Sequence, residues 1–251
     1  MTRLSRGIGL LGIVLLASLP ALAQEPAQAP AEEPLRNIQA FPAGTTRTQL
    51  LSTMNAMNES LGVQCVYCHV AGGPGERPDF VSDANPKKDI ARRMMLFRDK
   101  INEDMPAVLD AASSGTRVLC STCHRGVPIP RQIYEIVFDA TAEGGGPAAG
   151  LAKFEELRSE FYGGQSYDFS ELALVELGRR ATSAGRADDA MAYLLGNLKY
   201  HPNSVPTYLA LARAKDAKGD RAGAIQDLEK AATLNPGNER ITSELARLNG
   251  A

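Results

Sequence analysis

Two short stretches of the chain carry residues whose types and spacing allow chemistry. Cys65-Val66-Tyr67-Cys68-His69 and Cys120-Ser121-Thr122-Cys123-His124 share one pattern, Cys-x-x-Cys-His, and together hold all four cysteines of the 251-residue chain. Four chemistries use a Cys-x-x-Cys pair: a zinc site of four thiolates, a thioredoxin-like redox pair, structural disulfides, or the thioether attachment of haem c. The histidines separate them. Only three histidines occur in 251 residues, so one following each pair by accident has odds on the order of one in ten thousand. Zinc, redox and disulfide readings need nothing at that position, and a thioredoxin-like pair needs a βαβ setting, whereas the flanks here are helical and Gly/Pro-rich. Haem c needs both features, with two thiols for the vinyl groups and the adjacent imidazole for iron. The spacing therefore points to two covalently attached haems, on Cys65 and Cys68 and on Cys120 and Cys123, with His69 and His124 as proximal iron ligands. Two large apolar macrocycles also give a core to a segment without tryptophan.

Each motif is preceded by a segment able to form a helix. Thr45 or Thr46 caps a run ending near Ser60, with Gly62 as its stop. Leu50, Met54, Met57 and Leu61 lie on one stripe of that helix, which makes either methionine, Met54 or Met57, a candidate distal ligand. Asn85 caps "PKKDIARRMMLFRDKIN", and Pro86 takes the first helical position. Ile90, Met94, Phe97 and Ile101 share a stripe, with Met95 turned off it by about 100°. Met94 is thus the favoured second distal ligand; Met95, Met105, His201 and an open position stay as alternatives. Lys87, Lys88, Arg92 and Arg93 read as the solvated face of the helix, and Arg125 as a partner for a haem propionate.

Arg3 and Arg6, the apolar run from Ile8 to Leu19, and Ala21-Leu22-Ala23 form the order of a secretory signal peptide cut near Ala23. The apolar run is shorter than the roughly 20 residues a bilayer requires, and no cysteine lies near the cut for a lipid. Periplasmic export follows, which is also where haem c is attached. Loss of Arg3 and Arg6 moves the formal charge from -2 to -4. That mild acidity speaks against nucleic acid as a partner.

The expected architecture is mainly α: a small dihaem cytochrome c domain with few helices and long loops, then a tetratricopeptide-type repeat domain. Residues 1–23 are the signal peptide, 24–40 a flexible Pro/Ala linker, 41–138 the dihaem domain, 139–169 a Gly-rich linker with a short helix, and 170–251 the repeats with a capping helix. The repeats rest on a 34-residue offset that pairs Gly185 with Gly219, Ala190 with Ala224, and Pro202 with Pro236. Glu239 to Leu248 then covers the last apolar face. Two repeats fall short of the three that stability usually needs, so Phe154 to Tyr162 and the capping helix are expected to add packing.

"MNAMNESLGVQCVYCHVA", "ARRMMLFRDKIN" and "VLCSTCHRG", in that order, resemble the second half of the photosynthetic reaction-centre cytochrome c subunit family, across Phe41 to Arg131. The resemblance implies a periplasmic electron donor in which a helix precedes each haem. It places Met54 as a distal ligand and implies that the last haem takes a histidine from the half absent here. This chain has two motifs rather than four, lacks the lipid-anchoring cysteine, and adds the repeats. The leading functional expectation is an electron carrier rather than an enzyme. It passes single electrons between redox protein partners, in a membrane-bound electron-transfer complex, and docks through the repeats. A haem enzyme (a peroxidase or small-molecule reductase) with one open axial site, and a repeat scaffold of a larger redox complex, are the alternatives.

Overall fold

A computed structural model describes residues 34–110 and 115–250. The signal peptide and most of the Pro/Ala linker lie outside the described residues. The chain divides into two compact units at Arg36/Asn37; of the first, residues 34–36 are described and carry no regular element. The fold is mainly α, as the sequence implies, and among the described residues the only β-type pairing is an isolated bridge between Val70 and Asp79.

In the second unit, α1 spans Arg47–Leu61 and α2 spans Pro86–Val108. Thr46 caps α1 by accepting from Gln49 N, and Gly62 closes it in the left-handed region at φ 64°. Asn85 caps α2 through Lys87 N, with Pro86 at its start. The second motif is itself a short helix, α3, Cys120–His124.

Helices α4 (Ile133–Ala140) and α5 (Gly146–Phe161) begin a stack of antiparallel pairs. It continues with α6 (Leu172–Ser183), α7 (Ala187–Leu198), α8 (Val205–Lys218) and α9 (Arg221–Leu234), and ends in α10 (Glu239–Asn249). Within the pairs, α6 packs on α7 and α8 on α9; between pairs, α4 packs on α6 and α6 on α8. One core gathers Val137, Phe154, Leu174, Leu177, Leu194 and Leu211, and a second gathers Ala224, Leu228, Ile241 and Leu248. α8 serves both, through Leu211 and Ala214 on one side and Ala212 on the other. The 34-residue offset is visible in the packing. Leu177 and Leu211 are both buried, as are Ala190 and Ala224 and then Leu194 and Leu228, and Gly185 and Gly219 both turn the chain at positive φ. Each buried leucine contributes about 1.5–3 kcal/mol.

Residues 139–150, which read as a break, are almost wholly helical. α4 runs into a π-turn, Thr141–Gly145, and α5 starts directly after it. Gly144 and Gly146 turn the chain at positive φ, whereas Gly150 is there for closeness. A Cβ on Gly150 would lie 2.3 Å from Thr141 Oγ1 and 2.9 Å from the Val137 carbonyl oxygen. Thr141 Oγ1 bonds the Val137 carbonyl and Tyr193 Oη, fastening this corner to α7. α4 and α5 therefore form a further helical pair that shares the core of α6–α8.

Candidate haem-attachment site

The first motif folds into a single helical turn. Cys68 N and His69 N both donate to the Cys65 carbonyl, at 3.2 and 3.0 Å. Cys65, Cys68 and His69 stand at i, i+3 and i+4, the spacing that places side chains on one face of a helix. Asn58, near the end of α1, holds Nδ2 3.6 Å from Cys65 Sγ. The second motif repeats this arrangement in α3, with Arg98 Nη1 4.0 Å from Cys120 Sγ. All four thiols are free. Among the described residues no group of three or more His, Cys, Asp or Glu gathers as a metal site, so the two pairs do not converge on a shared zinc.

The two imidazoles are held differently. His124 Nδ1 lies 3.1 Å from the Val127 carbonyl, an acceptor that requires Nδ1 to carry the proton and leaves the Nε2 lone pair free for a metal. Arg125 (φ 48°) and Gly126 (φ 89°) make the tight turn that brings this carbonyl back. His69 Nδ1 is buried with no hydrogen-bond partner among the described residues, and the ring meets Phe80 edge-on at 5.0 Å. Burial lowers the His69 pKa, and the charges of Lys88 and Arg92 add to the effect. This favours the neutral, ligating form. Burial also raises the Cys68 thiol.

α1 and α2 fasten both motifs. Gly126 N donates to the Ser60 carbonyl at 2.8 Å, so the end of α1 sits on the turn after the second motif. At its N-terminus α2 reaches the first motif, with Asn85 Nδ2 on the Tyr67 carbonyl at 3.1 Å. Further along, Asn102 clamps Val118: its Nδ2 donates to the carbonyl at 2.9 Å and its Oδ1 accepts from the N–H at 2.8 Å. Ser166 Oγ, from the loop before α6, donates to the Arg125 carbonyl at 2.7 Å and ties the hairpin stack to the second motif. Arg125 itself is exposed.

Two of the four charged residues assigned to solvent face inward. Lys88 is only 7 % exposed and bonds three loop carbonyls, and Arg92 Nη2 pairs with Asp83 at 2.8 Å. Lys87 stacks over the Tyr67 ring at 3.8 Å, and Arg93 stays exposed against Asp89. Nothing in the residue pattern signals this, because the acceptors are backbone carbonyls and one carboxylate of a non-periodic loop. Asn102 and the Val127 carbonyl escaped notice for the same reason.

Of the methionines, Met54 is half-buried on α1 with Leu50, Met57 and Leu61. Met94 is 45 % exposed, in line with the exposed Ile90 and Phe97, while Met95 is 5 % exposed and belongs to the packing. Met105 is half-buried. His201 lies in the hairpin stack, its Nε2 3.2 Å from the Phe169 carbonyl.

Between residues 34 and 126, the described residues bury only two side chains, Lys88 and Met95. Large apolar side chains stand exposed in the same segment, including Val66, Phe80, Met94, Phe97 and Leu119. A segment with two thiol pairs, two positioned imidazoles and almost no apolar core of its own fits covalently bound haem, which brings apolar surface to cover.

The family model for the photosynthetic reaction centre cytochrome C subunit matches residues 17–154. The photosynthetic reaction center cytochrome c subunit of Roseobacter denitrificans is 35% identical over 83 residues, which is 32% of this chain and 21% of that protein. The subunit of the same name from Rubrivivax gelatinosus is 33% identical over 70 residues, 28% of this chain and 16% of that protein. The matched stretch thus spans about a fifth of the length of these relatives. With more than half of its residues covered by the family model, the chain belongs to the photosynthetic reaction centre cytochrome c subunit family.

Proposed function

We infer that the protein is a periplasmic dihaem c-type cytochrome that passes single electrons between redox protein partners of a membrane-bound complex. The observation that carries this reading is the pair of Cys-x-x-Cys-His turns, each with thiols and imidazole on one face, in a segment that buries only Lys88 and Met95. Haem c, when bound, supplies a one-electron iron couple. Cys65 and Cys68 anchor one haem and Cys120 and Cys123 the other. His69 and His124 would each ligate an iron, with Met54 and Met94 proposed as the further ligating residues. Thioether ligands raise the potential of such a couple, which suits an electron donor. Electron passage forms no bond at iron, so a full set of protein ligands would serve it.

α6–α10 are proposed to be tetratricopeptide-type repeats that dock a partner. Their 34-residue recurrence and stacked hairpins support that assignment. Among the described residues no helix is long and apolar enough to cross a membrane. Export through a cleaved signal peptide is part of the proposal.

The test is the intact mass of the protein made in a host with haem c attachment machinery. Two added haems on a chain starting near Gln24 support the reading. A mass without haem refutes it. Carbon monoxide binding by the untreated, reduced protein would instead favour a haem enzyme with an open axial site.

A further inference from the structure

Lys88 is an unusual residue to find buried. An ammonium withdrawn from water is costly unless its protons are all taken. Here Nζ donates to the carbonyls of Phe80, Val81 and Ser82, at 2.9, 3.0 and 2.9 Å, and lies 3.1 Å from Asp83 Oδ1. Three successive carbonyls converging on one cation resemble the cage of a bound metal ion, with the lysine side chain as its tethered occupant. The cage is braced from outside. Asp83 Oδ1 also accepts from Arg92 and Asn37, each at 2.8 Å, and Asp79 Oδ1 caps the Val81 and Ser82 N–H groups at 2.9 and 3.0 Å.

What this cage holds still is Phe80, whose own carbonyl is the first of the three. The Phe80 ring is the edge contact of His69. His124 has a carbonyl acceptor to set its rotation, whereas His69 Nδ1 has no acceptor among the described residues. A ligating histidine almost always has its second nitrogen oriented by a partner, so His69 requires another means.

We propose that Lys88 is a positioning residue for His69. By gripping the carbonyls of residues 80–82 it presses Phe80 against the imidazole, and so does for the first motif what the Val127 carbonyl does for the second. Phe80 transmits the constraint. The inference rests on the haem reading above, since ring orientation matters only where the imidazole is a ligand.

The experiment compares the full-length wild-type protein with Lys88→Met, Lys88→Arg and Phe80→Ala after haem attachment. Intact mass comes first, because failure of the wild type to gain haem would remove the haem reading itself. Electron paramagnetic resonance of the oxidised proteins and a spectroscopic redox titration follow. In Lys88→Met one of the two ferric signals is expected to shift. The oxidised-to-reduced ratio of that centre should rise about tenfold at fixed potential, equivalent to 59 mV for one electron, while the second centre is unmoved. Lys88→Arg restores a cation and should recover most of the shift. Phe80→Ala, at a half-exposed position, should alter the same signal without any change of charge. Unchanged signals in both Lys88→Met and Phe80→Ala, or equal changes at both centres, would overturn the proposal.

Discussion

Gly62 and Gly126 form the contact on which the second motif sits, and Gly62→Ala tests it. A Cβ at position 62 would stand 2.3 Å from the Gly126 oxygen and 3.1 Å from its carbonyl carbon, more than 1 Å inside ordinary contact at the oxygen. Both partners are backbone, so no side chain can swing away. The left-handed conformation of residue 62 costs an alanine about 1–2 kcal/mol. Crowding adds about 1–3 kcal/mol, and strain on the Gly126 N–Ser60 O bond about 1 kcal/mol more. Gly219→Ala is the internal control, also a left-handed helix cap (φ 88°) but with nothing within 4 Å of its added Cβ. The difference between the variants isolates the contact at about 2–4 kcal/mol. At about 2–4 °C per kcal/mol for a chain of this size, Gly62→Ala should melt some 4–16 °C below the control. Urea unfolding followed by circular dichroism gives the same comparison as free energy. Equal losses in the two variants would refute the docking of α1 on the second motif.

Met95→Ala should destabilise by about 2–5 kcal/mol in denaturant unfolding, as a buried methionine does. Met94→Ala should change stability little yet alter the visible spectrum of the haem-loaded protein; the reverse pattern would exchange their roles. Asn102→Leu strips the Val118 N–H and carbonyl of their partners, with an expected loss of about 1–3 kcal/mol and a lower yield of the second haem by intact mass. The Arg92 hydrogen bond, with Lys88 next, holds the Asp83 carboxyl well below the usual carboxylate range. Its folded pKa is depressed, so the linked stability is present above the unfolded value of 3.8 and lost as pH falls below it. Asp83→Asn should flatten the acid side of a stability-versus-pH curve, and an unchanged slope would contradict the ion cluster.

Much of this was legible because it rests on local rules. Thr46, Gly62, Asn85 and Pro86 mark helix ends by the chemistry of caps, and Ala190 and Ala224 mark close packing by their recurrence. The motifs announce themselves because histidine is rare in this chain. Lys88 and Arg92 misled because a charge run on a helix carries no sign of whether oxygens face it across a loop. Gly144, Gly146 and Pro147 misled because a tight helix corner and a loose linker draw on the same residues. The corner is settled by Thr141, Gly150 and Tyr193, which are distant from one another in sequence or ordinary in type.

α2 also acts as a ruler. Its N-terminal end grips the first motif through Asn85 and Lys87, and further along it grips the second through Arg98 and, at Val118 just before that motif, Asn102; the outermost points are separated by about 26 Å at 1.5 Å per residue. The interval between the two motifs is therefore counted in helical residues rather than in loop length. One residue inserted between Lys88 and Arg98 would lengthen the ruler by only about 1.5 Å but turn one set of anchors by about 100°. The spacing is thus quantised: phase tolerates far less change than distance, and whatever rate depends on that interval is fixed by a feature that cannot drift by small steps.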